Sequence, residues 1–147
     1  SPLTDGASAT LVCEEEYAKA NKLPIIARIK STAIQGCPPE LMGLGPINAS
    51  KKALKRANLD IKDIDIVELN EAFASQSIAC IKELKINPEI VNIEGGAISL
   101  GHPLGATGTR ITAKAASLMI KHNKKYALAT QCIGLGQGIA TVLESVE

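Results

Sequence analysis

Residues 63–84 read DIDIVELNEAFASQSIACIKEL, and this stretch decides the fold class. Its first part, Asp63–Leu69, alternates polar and apolar residues, which predicts a strand that is half exposed at its start. From Glu71 to Leu84 the apolar and small residues return at helical spacing, which predicts a mostly buried helix. A strand that leads directly into a helix is the repeating unit of layered α/β domains, so we expect that class here.

The same alternation continues on both sides of this unit. Before it we predict a strand over Ala7–Cys13, a helix over Glu14–Ala20, a strand over Pro24–Ile29, an irregular segment over Thr32–Pro46, and a helix that Asn48 or Ser50 caps and that ends near Ala57. After it we predict a glycine-rich loop over Ile93–Gly108, a helix from Thr107 or Gly108 to about Lys121, and strands over Tyr126–Cys132 and Ile139–Leu143. The turn between the last two strands is tight. They therefore form an antiparallel hairpin, and the sheet is mixed.

Composition narrows the function classes. The chain has 147 residues, 46% of them hydrophobic, and a formal net charge of +1, which provides no basic field for nucleic acid. No stretch approaches the roughly 20 consecutive apolar residues that a membrane span requires. The four cysteines lie far apart without a C-x-x-C pair, so we expect reduced thiols in an intracellular compartment and no metal site. A cytoplasmic location is expected, with the mitochondrion and the peroxisome as alternatives.

The first segment that could carry chemistry is LNEAFA, residues 69–74, where a predicted strand meets a predicted helix. Polar side chains at this junction lie where α/β proteins place their active sites. Taken alone, Asn70 is better explained as a helix N-cap and Glu71 as an acidic residue in the first turn, which together stabilise a helix by roughly 1 kcal/mol.

The second segment is GGAISLGHPLGATG, residues 95–108. It contains no phosphate-binding G-x-x-x-x-G-K-[S/T] pattern, so its glycines indicate close backbone approach to another chain or a ligand. His102, held between Gly101 and Pro103, can serve as a base or a hydrogen-bond donor. The alternative is an ordinary histidine in a surface loop.

The third segment is CIGLGQG, residues 132–138. Too few residues follow for a dinucleotide-binding βαβ unit. A thiol at the end of a strand, followed by free backbone N–H groups, can act as a nucleophile or base beside an oxyanion hole. A buried structural cysteine before a hairpin is the alternative for Cys132.

Taken together and in order, NEAFA, GGAISLGHPLGATG and CIGLGQG resemble the C-terminal half of a thiolase, the family of 3-ketoacyl-CoA thiolases and acetyl-CoA acetyltransferases. SPLTDGAS at the start and MGLGPINA at residues 42–49 extend the resemblance over essentially the whole chain. The resemblance implies a layered thiolase-type half with a mixed five-stranded sheet and helices on both faces. It also implies that residues 1–147 form the C-terminal domain, without the N-terminal domain that carries the nucleophile.

The resemblance assigns roles to seven residues. It implies that His102 activates the nucleophile and donates to an enolate oxygen, that Asn70 holds a water completing this oxyanion hole, that Cys132 takes and returns the α-proton, and that the Gly134 N–H stabilises the acyl-transfer intermediate. Ala72 and Phe73 correspond to positions along the pantetheine tunnel, and Ser1 to a serine that contacts the pantetheine chain. These residue types fit the chemistry, because an enolate needs donors aimed at its oxygen and a thiol nucleophile needs a base beside it.

The resemblance also implies substrates and partners. Coenzyme A and acyl-CoA would be substrates, with no tightly bound cofactor and no metal. The partners would be the N-terminal half and, at full length, further copies in a dimer or tetramer, with no nucleic acid and no membrane.

The sequence departs from the family in two places. None of Cys13, Cys37 and Cys80 lies in the small-residue setting of the acyl-accepting cysteine, so we expect the chain alone to be inactive. Leu135 stands where many thiolases have glycine.

Two alternatives stay open at this point. One is a non-catalytic acyl-CoA or lipid-binding module. The other is a ketoacyl synthase. Ketoacyl synthases usually rely on paired histidines, but the second histidine of this chain, His122, lies at a predicted helix end.

Overall fold

The computed structural model describes residues 2–146. The helices are α1 (Glu15–Ala20), α2 (Gly45–Ala57), α3 (Ala74–Leu84), α4 (Ala97–Leu100) and α5 (Leu104–Lys121), and the strands are β1 (Arg28–Gly36), β2 (Ile66–Leu69), β3 (Tyr126–Ile133) and β4 (Gln137–Glu144). Short 3-10 helices cover Pro39–Leu44, Ile61–Asp63 and Pro88–Ile90. Within the described residues, no helix combines the length and apolarity needed to cross a membrane.

The strands form one mixed sheet in the order β1-β4-β3-β2. β2 is parallel to β3, whereas β4 is antiparallel to both β3 and β1. The hairpin predicted at the end of the chain is confirmed, with Ile133 paired to Gln137 across its turn. Two neighbouring turn residues, Leu135 (φ +67°) and Gly136 (φ +78°), have left-handed backbone conformations, which reverse the chain over a short distance.

Helices cover both faces of the sheet, and the alternation along β2 explains why. Val67 and Leu69 face a core formed with α2 and α3, while Ile66 faces a second core formed with α5. The residues predicted to face inward on α2 and α5 are buried in these two cores: Ala49, Ala53, Leu54 and Ala57, and Ile111, Ala115, Leu118 and Met119. Each helix therefore packs with the face that its apolar spacing predicts.

The predicted count of five strands is not confirmed, because the sheet has four among the described residues. Residues 7–13, predicted as a strand, are exposed and make no backbone hydrogen bond to a sheet edge. β-Branched residues form a strand only where a neighbouring edge offers hydrogen bonds and packing. The segment 32–46 is also more regular than predicted, since β1 extends to Gly36 and α2 begins at Gly45 with Pro46 in its first turn, where proline is tolerated.

Two helix starts differ from the prediction in ways that matter for function. α3 begins at Ala74 rather than Glu71, so Asn70–Phe73 form a loop after β2. α5 begins at Leu104 rather than Thr107 or Gly108, so Thr107 lies inside the helix. The interpretation of Asn70 as an N-cap is therefore wrong, because the N-cap of α3 is Phe73.

Candidate active site

The site lies where β2 and β3 end side by side. Leu69 of β2 pairs with Thr130 of β3, and the backbone N–H of Asn70 donates to the Thr130 carbonyl at 2.9 Å. Because the two strands are parallel, their carboxyl ends meet at one edge of the sheet. Asn70 leaves this edge directly after β2, and Cys132 lies near the end of β3 at the same edge.

His102 is held from both sides of its ring. Its Nε2 lies 3.3 Å from Asn70 Nδ2, and its Nδ1 lies 2.6 Å from the hydroxyl of Thr107. That hydroxyl, fully buried, is also placed to donate to the Pro103 carbonyl at 3.0 Å. A hydroxyl has one proton, so when Thr107 donates it to Pro103 it accepts from His102 Nδ1–H. In this arrangement the Nε2 lone pair accepts from the amide of Asn70.

The electrostatic surroundings of His102 favour the neutral imidazole. Partial burial lowers the pKa of His102, and the positive charge of Arg110 lowers it further. Both effects act against the imidazolium, because a cation loses hydration on burial and is repelled by another cation. A neutral imidazole with a proton on Nδ1 can accept a proton at Nε2, which is what a general base requires.

The loop that carries His102 is locked to the end of β2 by Glu71. The Glu71 carboxylate accepts from Asn92 Nδ2 at 2.8 Å and from the Ile98 backbone N–H at 2.9 Å. A Cβ on Gly96 would come within 2.5 Å of this carboxylate, so glycine is required for the approach. Glu71 is therefore a loop-fixing residue and not a first-turn acid, contrary to the local interpretation.

Sequence reasoning missed two residues that hold the site together. Asn92, with φ +47°, accepts from the Leu69 N–H at 3.0 Å and donates to the Leu69 carbonyl at 2.9 Å, which continues the hydrogen bonding of β2. The sequence predicts Thr107 only as a helix start. Neither residue has a local pattern that marks it, because each acts on a residue distant along the chain.

A cavity of about 260 Å³ opens beside His102. Ala72 and Phe73 line it together with His102 and Ile98, and Phe73 is half exposed. The two residues that resemble tunnel positions therefore lie at the predicted histidine. Ser1, the third predicted contact, lies outside the described residues. A larger cavity of about 410 Å³, lined by Cys37 and residues of α2 and α3, contains none of the predicted site residues.

Cys132 and Gly134 lie at the same sheet edge but are not joined to His102. Cys132 is buried and burial raises its pKa, while Gly134 is exposed with nothing within 4 Å of the position of a Cβ. Within residues 2–146, Cys132 makes no hydrogen bond to His102 or Asn70. The structure thus brings two of the four predicted catalytic residues into direct contact and places the other two at the end of the adjacent strand.

The remaining cysteines occupy three different environments. Cys13 is exposed, Cys37 is half-buried after β1, and Cys80 is buried in α3, where its thiol approaches the Gly43 carbonyl at 3.5 Å. All four cysteines are free thiols. His122 is exposed at the end of α5, as its place in the sequence predicts.

Comparisons with known proteins agree with these features. A family model described as the thiolase C-terminal domain matches residues 23–145. The 3-ketoacyl-CoA thiolases of Vibrio cholerae O395 and Vibrio parahaemolyticus are 57% and 58% identical to this chain over 98% of its length. The chain spans only 38% of the length of each of these relatives.

Solved structures give the same result. A crystal structure of human mitochondrial 3-ketoacyl-CoA thiolase matches with a TM-score of 0.88 and 45% identity, covering 90% of this chain and 33% of that one. A second structure, of the same human enzyme in complex with CoA, matches with a TM-score of 0.88 and 44% identity, covering 90% of this chain and 34% of that one. Since the family model covers most of residues 2–146 and the fold matches at this level, the chain belongs to the thiolase family and represents its C-terminal domain.

Proposed function

We propose that this chain is the C-terminal catalytic part of an acyl-CoA:acetyl-CoA C-acyltransferase that makes or cleaves a 3-ketoacyl-CoA. The observation that carries the proposal is the hydrogen-bonded series Asn70–His102–Thr107, whose His102 also lines a cavity together with Ala72 and Phe73. A histidine that only supports the fold needs hydrogen bonds that fix its ring, but it does not need an open cavity beside that ring. A base that must also become an oxyanion donor needs both.

In the cleavage direction a cysteine thiolate supplied by the N-terminal half attacks the 3-keto carbon. His102 takes the thiol proton at Nε2, while Thr107 holds Nδ1. The bond between C2 and C3 then breaks, its electron pair forms the enolate of acetyl-CoA, and the acyl group stays on the cysteine sulfur. The imidazolium donates Nε2–H to the enolate oxygen, and Asn70 positions a water as the second donor.

Cys132 protonates the enolate carbon, and in the synthetic direction its thiolate removes that proton. The thiol of the incoming CoA then returns a proton to Cys132, and the released cysteine of the N-terminal half takes its proton back from the His102 imidazolium. Burial raises the pKa of Cys132, which keeps the thiol protonated near neutral pH and makes its thiolate a stronger base once formed. The N–H of Gly134 stabilises the oxyanion when CoA attacks the acyl-enzyme. The human relative solved in complex with CoA supports CoA and acyl-CoA as substrates. We propose that Ser1, Ala72 and Phe73 lie along the pantetheine, and the cavity that Ala72 and Phe73 line beside His102 supports this for those two residues.

The proposal extends to the assembly. Residues 1–147 would act only with an N-terminal thiolase half, which fits the 38% of the relatives' length that the chain spans. We further propose a dimer or tetramer at full length, no tightly bound cofactor, and a cytoplasmic location.

A chimera tests this function. The matching segment of the Vibrio cholerae enzyme is replaced by this chain, and thiolysis of acetoacetyl-CoA is measured. We expect turnover by the chimera and none by the 147-residue chain alone. His102→Ala in the chimera should reduce turnover by roughly 10³-fold or more, because the base and the oxyanion donor are lost together.

His122→Ala is the matched control, since this histidine is exposed at a helix end and should leave turnover unchanged. A folded chimera that binds acyl-CoA but does not turn over would instead support a non-catalytic acyl-CoA-binding module. Turnover by the isolated chain would contradict the requirement for a nucleophile from the other half.

A further inference from the structure

The loop that carries His102 is fixed to the end of β2 by Glu71, and a second segment of the chain also contacts it. We define this segment, residues 4–8, as the strap. The proposed mechanism does not use it. The strap contains no helix or strand, and most of its residues are exposed. Such a segment keeps a defined position only where specific contacts tie it to its surroundings.

The strap contacts the loop at every second residue. Thr4 lies against Gly101, because a Cβ on Gly101 would come within 2.5 Å of Thr4 Cγ2. Gly6 lies against Pro103, because a Cβ on Gly6 would come within 2.8 Å of the proline Cγ. Contacts at this spacing are those that one side of an extended chain makes. The strap therefore meets both chain neighbours of His102.

The third contact is a hydrogen bond from Ser8. Its Oγ donates to the backbone carbonyl of Ala106, in the first turn of α5, at 2.7 Å. The hydroxyl of Thr4 donates to the Pro2 carbonyl at 3.1 Å and so does not bind the loop. Among residues 2–146, the bond from Ser8 is the only hydrogen bond between the strap and the loop with its following helix turn. Its loss leaves only van der Waals contacts between the two segments.

We propose that Ser8 is a positioning residue whose hydroxyl, by donating to the Ala106 carbonyl, holds the strap against the loop and thereby fixes the backbone on both sides of His102. The ring of His102 depends on this backbone. Its contact with Asn70 is 3.3 Å long, at the long end of the usual range, so a small outward shift of the loop breaks it. The shorter contact with Thr107 then holds the ring alone.

The consequence for the reaction rests on the proposed function, whereas the position of the imidazole does not. A base that is displaced from its working geometry loses rate, even when substrate binding is unchanged. Pro2 precedes the strap and lines the cavity beside His102. The competing interpretation is therefore that this part of the chain only forms a wall of the cavity. A change in kcat supports positioning, and a change in KM alone supports the wall.

The NMR signals of the imidazoles in the 147-residue chain test the position of His102 without turnover, and the exposed His122 is the internal control. Ser8→Ala removes the hydroxyl. We expect the Hε1 and Hδ2 signals of His102 to shift and broaden, because the loop is then less fixed, while those of His122 stay unchanged. Ser8→Thr keeps a hydroxyl at an exposed position with room for a methyl group, and it should retain the wild-type signals.

Two further variants separate the strap from the rest of the segment. Gly6→Ala keeps the Ser8 hydroxyl but brings a methyl group against the ring of Pro103, so it should perturb the same signals of His102. Thr10→Ala is the matched control. Thr10 is exposed, lies two residues beyond Ser8 and makes no side-chain hydrogen bond within residues 2–146, so its removal should change nothing.

Kinetics in the chimera with the Vibrio cholerae enzyme give the second readout. Ser8→Ala should lower kcat for thiolysis of acetoacetyl-CoA by roughly 3–10-fold, the loss expected for one hydrogen bond, and change KM by less than about 2-fold. Ser8→Thr should restore kcat.

Unchanged His102 signals in folded Ser8→Ala overturn the proposal. So does a Ser8→Thr variant that behaves like Ser8→Ala, because the hydroxyl is then not responsible. An equal perturbation of His102 by Thr10→Ala, or a higher KM with unchanged kcat in Ser8→Ala, also contradicts it. The imidazole signals decide the matter even where no chimera turns over, so a failure of this proposal is distinguishable from a failure of the proposed thiolase activity.

Discussion

Thr107→Val is the substitution that most directly tests how His102 is held. Valine has nearly the shape of threonine, so the variant removes the hydroxyl and little else. Two contacts are lost, from His102 Nδ1 at 2.6 Å and to the Pro103 carbonyl at 3.0 Å. The Pro103 carbonyl keeps the backbone N–H groups of Ala106 and Thr107 as donors, so the main loss falls on the histidine.

Loss of the Thr107 hydroxyl leaves the partly buried Nδ1–H of His102 without a partner among residues 2–146. This costs about 1–3 kcal/mol of unfolding free energy, unless the ring changes tautomer. The other tautomer carries its proton on Nε2, where it meets the donating amide of Asn70. We therefore expect both a lower stability in urea unfolding and a mixed tautomer of His102 in the ¹⁵N spectrum of the imidazole.

Thr112→Val is the matched control on the same helix. The Thr112 hydroxyl donates to the Gly108 carbonyl at 2.8 Å and makes no contact with His102. Removing this hydroxyl should therefore change the free energy of unfolding by less than about 1 kcal/mol and leave the tautomer of His102 unaltered. Equal stability losses in the two variants together with an unchanged tautomer in Thr107→Val would refute the reasoning.

Three further predictions concern other parts of the structure. Glu71→Ala removes two hydrogen bonds of 2.8 and 2.9 Å, and urea unfolding should show a loss of about 2 kcal/mol, whereas the exposed Glu89→Ala should show almost none. Gly138→Ala places a Cβ 2.1 Å from the backbone of α2 and should cost roughly 2–3 kcal/mol in thermal unfolding, while Gly105→Ala, with open space around it, should cost nothing. Burial raises the pKa of Glu68 to about 7, so between about pH 4.5 and 7 the folded chain binds more protons than the unfolded chain. The free energy of unfolding should therefore fall as the pH rises through this range, by an amount on the order of 3 kcal/mol. Glu68→Gln should abolish that slope, and a variant with the wild-type slope would contradict the assignment.

Much of the fold follows from local patterns. The strand at residues 66–69, the helices α1, α2, α3 and α5 and the final hairpin are visible in the spacing of apolar residues and glycines. In contrast, α4 lies in the segment predicted as a loop, and β1 covers Arg28–Gly36 rather than Pro24–Ile29. The faces that become buried are equally visible, since Ala49 and Ala115 are both fully buried on the predicted sides of their helices. The extended segment over residues 7–13 shows where such reasoning fails, because strand propensity alone cannot provide a neighbouring edge.

The site is partly predictable for a different reason. Asn70, His102, Cys132 and Gly134 were identified from motifs and family resemblance, and the structure places Asn70 against His102 although 32 residues separate them. Thr107 and Asn92 carry no such mark. Their roles arise from hydrogen bonds between segments, and these depend on how α5 and the glycine-rich loop pack against β2.

The sequence by itself determined most of the alternation of strands and helices, the mixed sheet and the faces that enter the two cores, because periodic burial is a local property of the chain. Only the tertiary structure decided where α3 and α5 begin and which nitrogen of His102 faces Thr107. These features result from competition between local capping and hydrogen bonds across the chain. Glu71 binds Asn92 and the Ile98 N–H instead of extending a helix, because the packed loop offers its carboxylate two donors at once.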